Sequence, residues 1–343
     1  IETCATCSLC SLSCPVGIDT GKLTKVLRED QIGPTAKAIA AHIGRHYGGV
    51  LGTMGLALRA IKGVSSILGD KTMSTLSKGA RKVTNNALPL WTPSLTSGAS
   101  FKPKIQSRPN APKVVYFSSC INRTLANPKP QKGEKSIHEV TIELLERAGY
   151  EVVIPKGVGE LCCGQAFLSK GYVDTGKRKS KELEDALRAA SKNGTYPILC
   201  DMTSCSKTTR ENFAGDIKML DPVEFAMEHL IDKLTFKPLE EPVVIHPICS
   251  TRKMGLTEKL IELAQKCSTE VHVPKDVTCC GFAGDRGFTY PELNKSALRH
   301  LKSNIPQGAT LAFSTNKTCE VGLSEHSGLP YRNIVYLMER CTR

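Results

Sequence analysis

Residues 151–164 read EVVIPKGVGELCCG, and residues 270–281 read EVHVPKDVTCCG. Each stretch is a short run of β-branched residues, a Pro-Lys turn and a Cys-Cys-Gly step, which spells strand, turn and tight loop. Working outward, the surroundings repeat as well. Val114–Ser118 reads as a strand with Cys120 just beyond it, and Val243–His246 reads as a strand with Cys249 just beyond it. Ile137–Ala148 and Thr257–Gln265 have helical spacing. Glu151–Ile154 and Glu270–Val273 are strands. A helix over Glu182–Ala190 leads to a strand at Ile198–Leu199, as one over Pro291–Leu301 leads to Thr310–Phe313; Cys205 and Cys319 follow these two strands. Helices over Pro222–Leu234, with Pro at a favoured first position, and Arg332–Arg340 close the two halves. Strand–helix alternation predicts an α/β fold with parallel sheets. The recurrence predicts a tandem duplication, residues 113–236 and 241–343.

Residues just beyond strand C-termini converge on one edge of a parallel sheet, where ligands bind. This gathers Cys120, Cys162, Cys163 and Cys205 in the first repeat, and Cys249, Cys279, Cys280 and Cys319 in the second. The glycine after each pair lets the backbone turn tightly against a bulky group. Three further thiols read as packing residues: Cys200 in the strand run PILCD, and Cys267 and Cys341 near helix ends. His246 reads as a satisfied structural histidine close to Cys249. Asp285 and Arg286 read either as a contact behind the ligands or as a surface ion pair.

A different cysteine pattern opens the chain. Cys4, Cys7, Cys10 and Cys14, completed by Pro15, follow C-x₂-C-x₂-C-x₃-C-P. In the bacterial two-cluster arrangement the first three thiolates hold one [4Fe–4S] cluster and the fourth serves another. Zinc sites instead show cysteine pairs separated by a longer loop. No second run of this kind occurs downstream, so its partner run is expected upstream of Ile1, making this the C-terminal portion of a longer polypeptide. Residues 1–110 are read as half of a helical ferredoxin-type domain plus a linker, the latter over Pro89–Pro112, rich in Pro, Ser and Gly.

The chain has 343 residues, 40% of them hydrophobic, with fifteen cysteines and a formal net charge of +13. That composition excludes a wholly disordered chain. Its length and regular elements argue against a secreted disulfide scaffold, so a reducing, cytoplasmic setting is expected. Residues 1–110 hold fourteen Lys/Arg against five Asp/Glu, an excess suited to an anionic membrane face, an acidic redox partner or plain solvent. No zinc-finger or RNA-binding pattern accompanies the charge, and no nucleic-acid partner is expected. In Val50–Leu68, interrupted by Arg59 and Lys62, the residues Leu51, Met54, Leu58, Ile61, Val64 and Leu68 share one helical face. It is short of a membrane span. The plainer reading is a helix packed on the core; the other is a helix lying on the inner membrane face.

The duplicated pattern resembles the cysteine-rich CCG domains of heterodisulfide reductases and of the iron–sulfur components of glycolate oxidases. The strings CATCSLCSLSCPVGIDTG (4–21), CCGQAFLSKGY (162–172), CCGFAGDRGFTYPELNKSALR (279–299) and STNKTCEVGLS (314–324) are similar to the C-terminal part of fused FAD/iron–sulfur D-lactate dehydrogenases. The fused D-2-hydroxyglutarate dehydrogenases resemble it too. The resemblance covers nearly the whole chain and is weakest over 30–110. It implies an oxidoreductase acting on a D-2-hydroxy acid. FAD would sit in an upstream flavin domain, with 4Fe–4S clusters in this portion and a quinone or cytochrome as acceptor; this portion alone would not turn over substrate. It carries over as ligands the four ferredoxin cysteines and the eight repeat cysteines. One departure matters. The complete heterodisulfide-reductase motif has five cysteines per repeat, ending in C-x₂-C, whereas Cys205 and Cys319 stand single. A cubane cluster, a zinc ion or an empty thiol site thus remain open for each repeat. A thiol/disulfide redox module is the alternative function.

Overall fold

The computed structural model describes residues 1–84 and 90–342. The N-terminal part is helical: α1 (Leu9–Ser13), α2 (Thr20–Asp30), α3 (Pro34–Arg45) and α4 (Tyr47–Val83), the last broken by a non-helical Gly69. Residues 90–112 hold no helix or strand, only an isolated bridge from Gly98 to Leu125. Pro89, at the start of the expected linker, lies outside the described residues.

The first repeat contains β1 (Lys113–Phe117), α5 (Cys120–Thr124), α6 (Ile137–Arg147), β2 (Glu151–Val153), α7 (Gln165–Leu168), α8 (Val173–Ala190), β3 (Ile198–Cys200), α9 (Thr203–Asn212), β4 (Met219–Leu220) and α10 (Pro222–Phe225). The second contains β5 (Val243–Ile245), α11 (Cys249–Lys253), α12 (Thr257–Cys267), β6 (Val271–His272), α13 (Arg286–Thr289), α14 (Pro291–Ala297), β7 (Leu311–Ser314), α15 (Lys317–Ser327), β8 (Tyr331–Asn333) and α16 (Ile334–Cys341). The sheets have the same topology, β2-β1-β3-β4 and β6-β5-β7-β8, and every pairing is parallel. The α/β expectation with two parallel-sheet repeats holds.

Side-chain alternation explains the layering. Along β1, Val114 and Tyr116 enter one core while Val115 and Phe117 enter another. Along β5, Val243 and Ile245 share the first of these cores, and Val244 faces a third. Strands buried on both faces are what parallel sheets require. The shared core lies between the sheets, where α6, α10, α12 and α16 interpack. The sheets also touch at their edges: Asn333 Nδ2 donates to Asp201 O (3.1 Å), and Thr203 N to Thr315 O (3.2 Å).

Several boundaries differ from expectation. α8 begins at Val173 rather than Glu182, and the helix expected over Pro222–Leu234 passes at Ala226–Leu230 into a π turn. Strands β4 and β8, two and three residues long, are too short to display a period. The largest correction concerns α4. Leu51 and Leu58 are half-buried, but Met54, Ile61, Val64 and Leu68 are exposed. The expected stripe is two stripes a quarter-turn apart, and only one of them packs on the protein.

Candidate metal centres

Each repeat delivers its thiols to the C-terminal edge of its sheet. Cys120 opens α5 just past β1, Cys205 lies in α9 past β3, and Cys162–Cys163 sits in the loop after β2. All four are linked by sulfur contacts. Cys120 Sγ is 3.9 Å from Cys162 Sγ, and Cys163 Sγ is 3.3 Å from Cys205 Sγ; Cys162 and Cys163 touch each other. In the second repeat Cys280 Sγ lies 2.8 Å from Cys319 Sγ, and Cys279 contacts Cys280. No cysteine is in a disulfide.

The glycines take the tight turn the pattern predicts, but what crowds them is the protein's own backbone. Gly164 and Gly281 have φ of +86° and +67°. A Cβ there would lie 2.3 Å from Gly176 O and 2.6 Å from Leu293 O. Their amides donate to Cys162 Sγ and Cys279 Sγ, each at 3.3 Å. A thiolate bearing such a donor is stabilised.

The structure adds residues that the sequence pattern did not single out. Arg123, three after Cys120, donates to Ser118 O and to Leu161 O (2.9 Å), pinning the Cys162 loop beside α5. Arg252, three after Cys249, donates to Pro247 O at 3.1 Å. The shared Cys-x₂-Arg spacing was the available signal. Asp201 accepts from Tyr116 OH (2.8 Å), Ser118 Oγ (2.9 Å) and Ser119 N (2.9 Å), fixing the turn before Cys120. From α4, Tyr47 OH donates to Cys120 Sγ at 3.5 Å.

Of the ferredoxin run, Cys7 is the member that reaches another thiol group: it lies beside Cys249 and Cys279, close enough for the three to titrate together. Left-handed Thr6 and Ser8, at φ of 48° and 63°, bracket it. The second repeat thereby becomes a chain of five sulfurs. Cys4 Sγ accepts from Thr6 N, while Cys10 is exposed, its Sγ accepting from Thr20 Oγ1 at 3.0 Å; Cys14 is half-buried. The run is clamped to both repeats. Buried Arg28 donates to Ser169 O (2.5 Å), Ile1 O (2.6 Å) and Cys4 O (2.8 Å). Arg286 Nε donates to Glu2 O (2.8 Å), and Lys253 Nζ to Ser11 Oγ. Asp285 pairs with Lys170 at the surface, the second of the two readings for this dipeptide, while Arg286 holds the backbone of Glu2.

Cys200 is buried and touches Cys205, while Cys267 and Cys341 lie in contact in the shared core. His246 differs from expectation. It is fully buried, but neither ring nitrogen has a hydrogen-bond partner among the described residues. Burial and nearby Arg252 push its pKa down to about 3.

The eight repeat thiols are all raised above the ordinary thiol value and so stay protonated at neutral pH without a metal. Cys162 is pulled down by Cys120, but Cys163 and burial together push it up to about 12. Contact with Cys162 and burial raise Cys120 well above the ordinary thiol value. Cys7, contacting Cys249 and Cys279, is lowered instead. Among the described residues, no three His, Cys, Asp or Glu side chains already form a cage for one ion. The donor set fits a soft, thiolate-bound metal or iron–sulfur group: four cysteines per repeat, with backbone amides donating to sulfur in each.

The comparisons with known proteins agree. A family model described as a cysteine-rich domain, CCG, matches residues 114–208 and 243–324. Lactate utilization protein A of Oceanobacillus iheyensis is 28% identical over 212 residues, covering 57% of this chain and 81% of that protein. Lactate utilization protein A 1 of Bacillus mycoides is 25% identical, covering 60% and 86%. Lactate utilization protein A of Bacillus subtilis is 22% identical, covering 65% and 94%. With both repeats matched over more than half its length, the chain belongs to the CCG cysteine-rich domain family.

Proposed function

We propose that this chain is the iron–sulfur electron-transfer portion of a flavin-dependent D-2-hydroxyacid dehydrogenase, with D-lactate as the substrate of the whole enzyme. Electrons would arrive from a flavin domain and leave to a quinone or cytochrome. The observation that carries the reading is the contact of Cys7 with Cys249 and Cys279, which brings a ferredoxin-type run against a repeat thiol site. The lactate assignment is supported by the relatives' printed name. When bound, an iron–sulfur cluster takes up and gives back single electrons at a potential tuned by hydrogen bonds to its sulfurs.

The chain's own residues would do the following. Cys4, Cys7, Cys10 and Cys14 would hold the ferredoxin-type clusters, and the eight repeat cysteines would hold a metal or cluster in each repeat. The amides of Gly164 and Gly281 donate to ligand sulfurs. Tyr47 caps Cys120 and limits water. Ser204 of α9 hydrogen-bonds Asn316, whose Nδ2 donates to Cys319 Sγ (3.4 Å), and α9 packs on α11. This bridge joins the helix that carries Cys205 to Cys319 of the second repeat, which supports a relay between the two sites.

Anaerobic loading with ferrous iron and sulfide should give bound iron, acid-labile sulfide and an EPR signal on reduction. A protein that takes up zinc but no iron under those conditions would sink the proposal. A second reading, a thiol/disulfide redox module, draws on Cys200, whose contact with Cys205 gives the first repeat five neighbouring thiols. It requires turnover of a disulfide substrate that Cys205→Ser abolishes.

A further inference from the structure

The exposed side of α4 remains unexplained by the metal centres. From Val50 to Leu68 this helix is about 28 Å long at 1.5 Å per residue. Its charged residues there, Arg59 and Lys62, both turn to the protein. Arg59 donates to Gly98 O (3.2 Å) and Ala99 O, and Lys62 lies 5.7 Å from the Trp91 ring centre. On the same side Gly98 sits so close that a Cβ would lie 2.0 Å from Gly55 O. One face is therefore committed to the protein.

The opposite face carries no charge. Val50, Met54, Ala57, Ile61, Val64 and Leu68 follow one another at steps of four and three along it, all exposed. Leu56 and Ile67 widen it, at 64% and 84% exposure. At 100° per residue, this is an arc of about 160° that is apolar except for Thr53, whose hydroxyl donates back to Gly49 O at 2.9 Å. By length and composition the helix could cross a bilayer, but Arg59, Lys62 and Gly55 tie one side to the protein, so only the other side can meet lipid. The surrounding charge selects the occupant. Residues 34–83 contain eight Lys/Arg and a single acidic residue, Asp70. Lys37, Arg45, Lys71, Lys78 and Lys82 are exposed. A second copy on this face would oppose two such basic regions, whereas an anionic lipid surface complements them.

We infer that the exposed arc of α4 is a membrane-docking face that lies in the headgroup region of an anionic bilayer, with its cations on lipid headgroups. Apolar burial plus attraction to anionic lipid is how such helices bind. The inference does not rest on the electron-transfer reading.

Co-sedimentation of the purified protein with vesicles tests it. Binding is expected with phosphatidylcholine vesicles containing phosphatidylglycerol, and at least tenfold weaker binding with phosphatidylcholine alone or in high salt. Met54→Glu/Ile61→Glu should lower binding at least tenfold while leaving thermal unfolding and metal content unchanged, because both side chains are exposed. Lys71→Glu/Lys78→Glu should weaken binding without altering the apolar arc. Unchanged vesicle binding by both variants overturns the inference. So does a dimer, detected by light scattering, that the Met54/Ile61 variant dissociates, since a second copy would then occupy the face.

Discussion

At the scale of single residues, His246 shows how one repeat exposes a peculiarity of the other. It stands three positions before Cys249, as Phe117 stands three before Cys120. Phe117 is apolar and packed; His246 occupies the matching place with its ring nitrogens unpartnered among the described residues. Its pKa is held near 3 against an ordinary 6.5. The folded protein keeps the ring neutral, and the unfolded chain takes a proton once the pH drops below about 6.5. Stability from this group is complete above that pH and falls as the pH drops toward 3. The loss should be about 2 kcal/mol between pH 7 and pH 5. Urea unfolding of His246→Phe at both pH values should show a pH dependence smaller by that amount. An unchanged dependence would mean that the ring takes up its proton in the native state as readily as in the unfolded chain. Nothing in the string VVIHP announces this burial, because the alternation of a strand does not say whether a polar end residue finds a partner.

At the scale of elements, β1, β2, β3, β5, β6 and β7 were legible as short runs of β-branched or apolar residues with a Cys beyond them, β4 and β8 were not, and neither was the way the N-terminal helices dock. That docking rests on contacts between residues far apart in sequence, one of which sets α2 against the segment after the first Cys-Cys-Gly. Gly171 has a φ of +93°, and a Cβ there would lie 2.8 Å from Glu29 N and 2.9 Å from Arg28 C, both backbone atoms. Gly171→Ala must therefore move α2 as well as strain its own backbone, whereas Gly149→Ala, at φ +85° with open space around it, meets strain alone. The first substitution should cost more than the second, which is expected near 1 kcal/mol. Hydrogen exchange should speed up across Thr20–Asp30 in Gly171→Ala and stay unchanged in β1 and β3. Equal exchange in the two variants would show that α2 is not held by this approach. The same non-local logic explains why the packed side of α4 could not be read from its sequence. Its apolar positions are regular, but which quarter-turn packs is decided by Gly98 and Trp91, residues some thirty to forty positions further on.

For the whole molecule, burial of so many thiols ties folding, metal and pH together. Cys120, Cys163, Cys205, Cys249 and Cys280 are all raised well above the ordinary thiol value, by contacts with neighbouring thiols and by burial. Cys162 reaches about 12. The two parallel sheets create this state, since their strand ends bring four thiols each to one edge and the surrounding layers keep water out. A thiol must lose its proton to bind a metal, so the proton is released on loading. Titrating the reduced, metal-free protein with zinc in weak buffer at pH 7 should release protons, up to about one per ligating thiol. Affinity should then rise steeply with pH, because these groups remain protonated throughout the neutral range. Cys7 is the exception. Cys249 and Cys279 lower its pKa while it helps to raise theirs, so Cys7→Ser should ease deprotonation of Cys249 and Cys279 and make zinc binding at the second repeat less steeply dependent on pH. An unchanged pH dependence in the variant would show that Cys7 has no hold on the thiols of the second repeat, and that the ferredoxin run meets them as one more neutral packing contact.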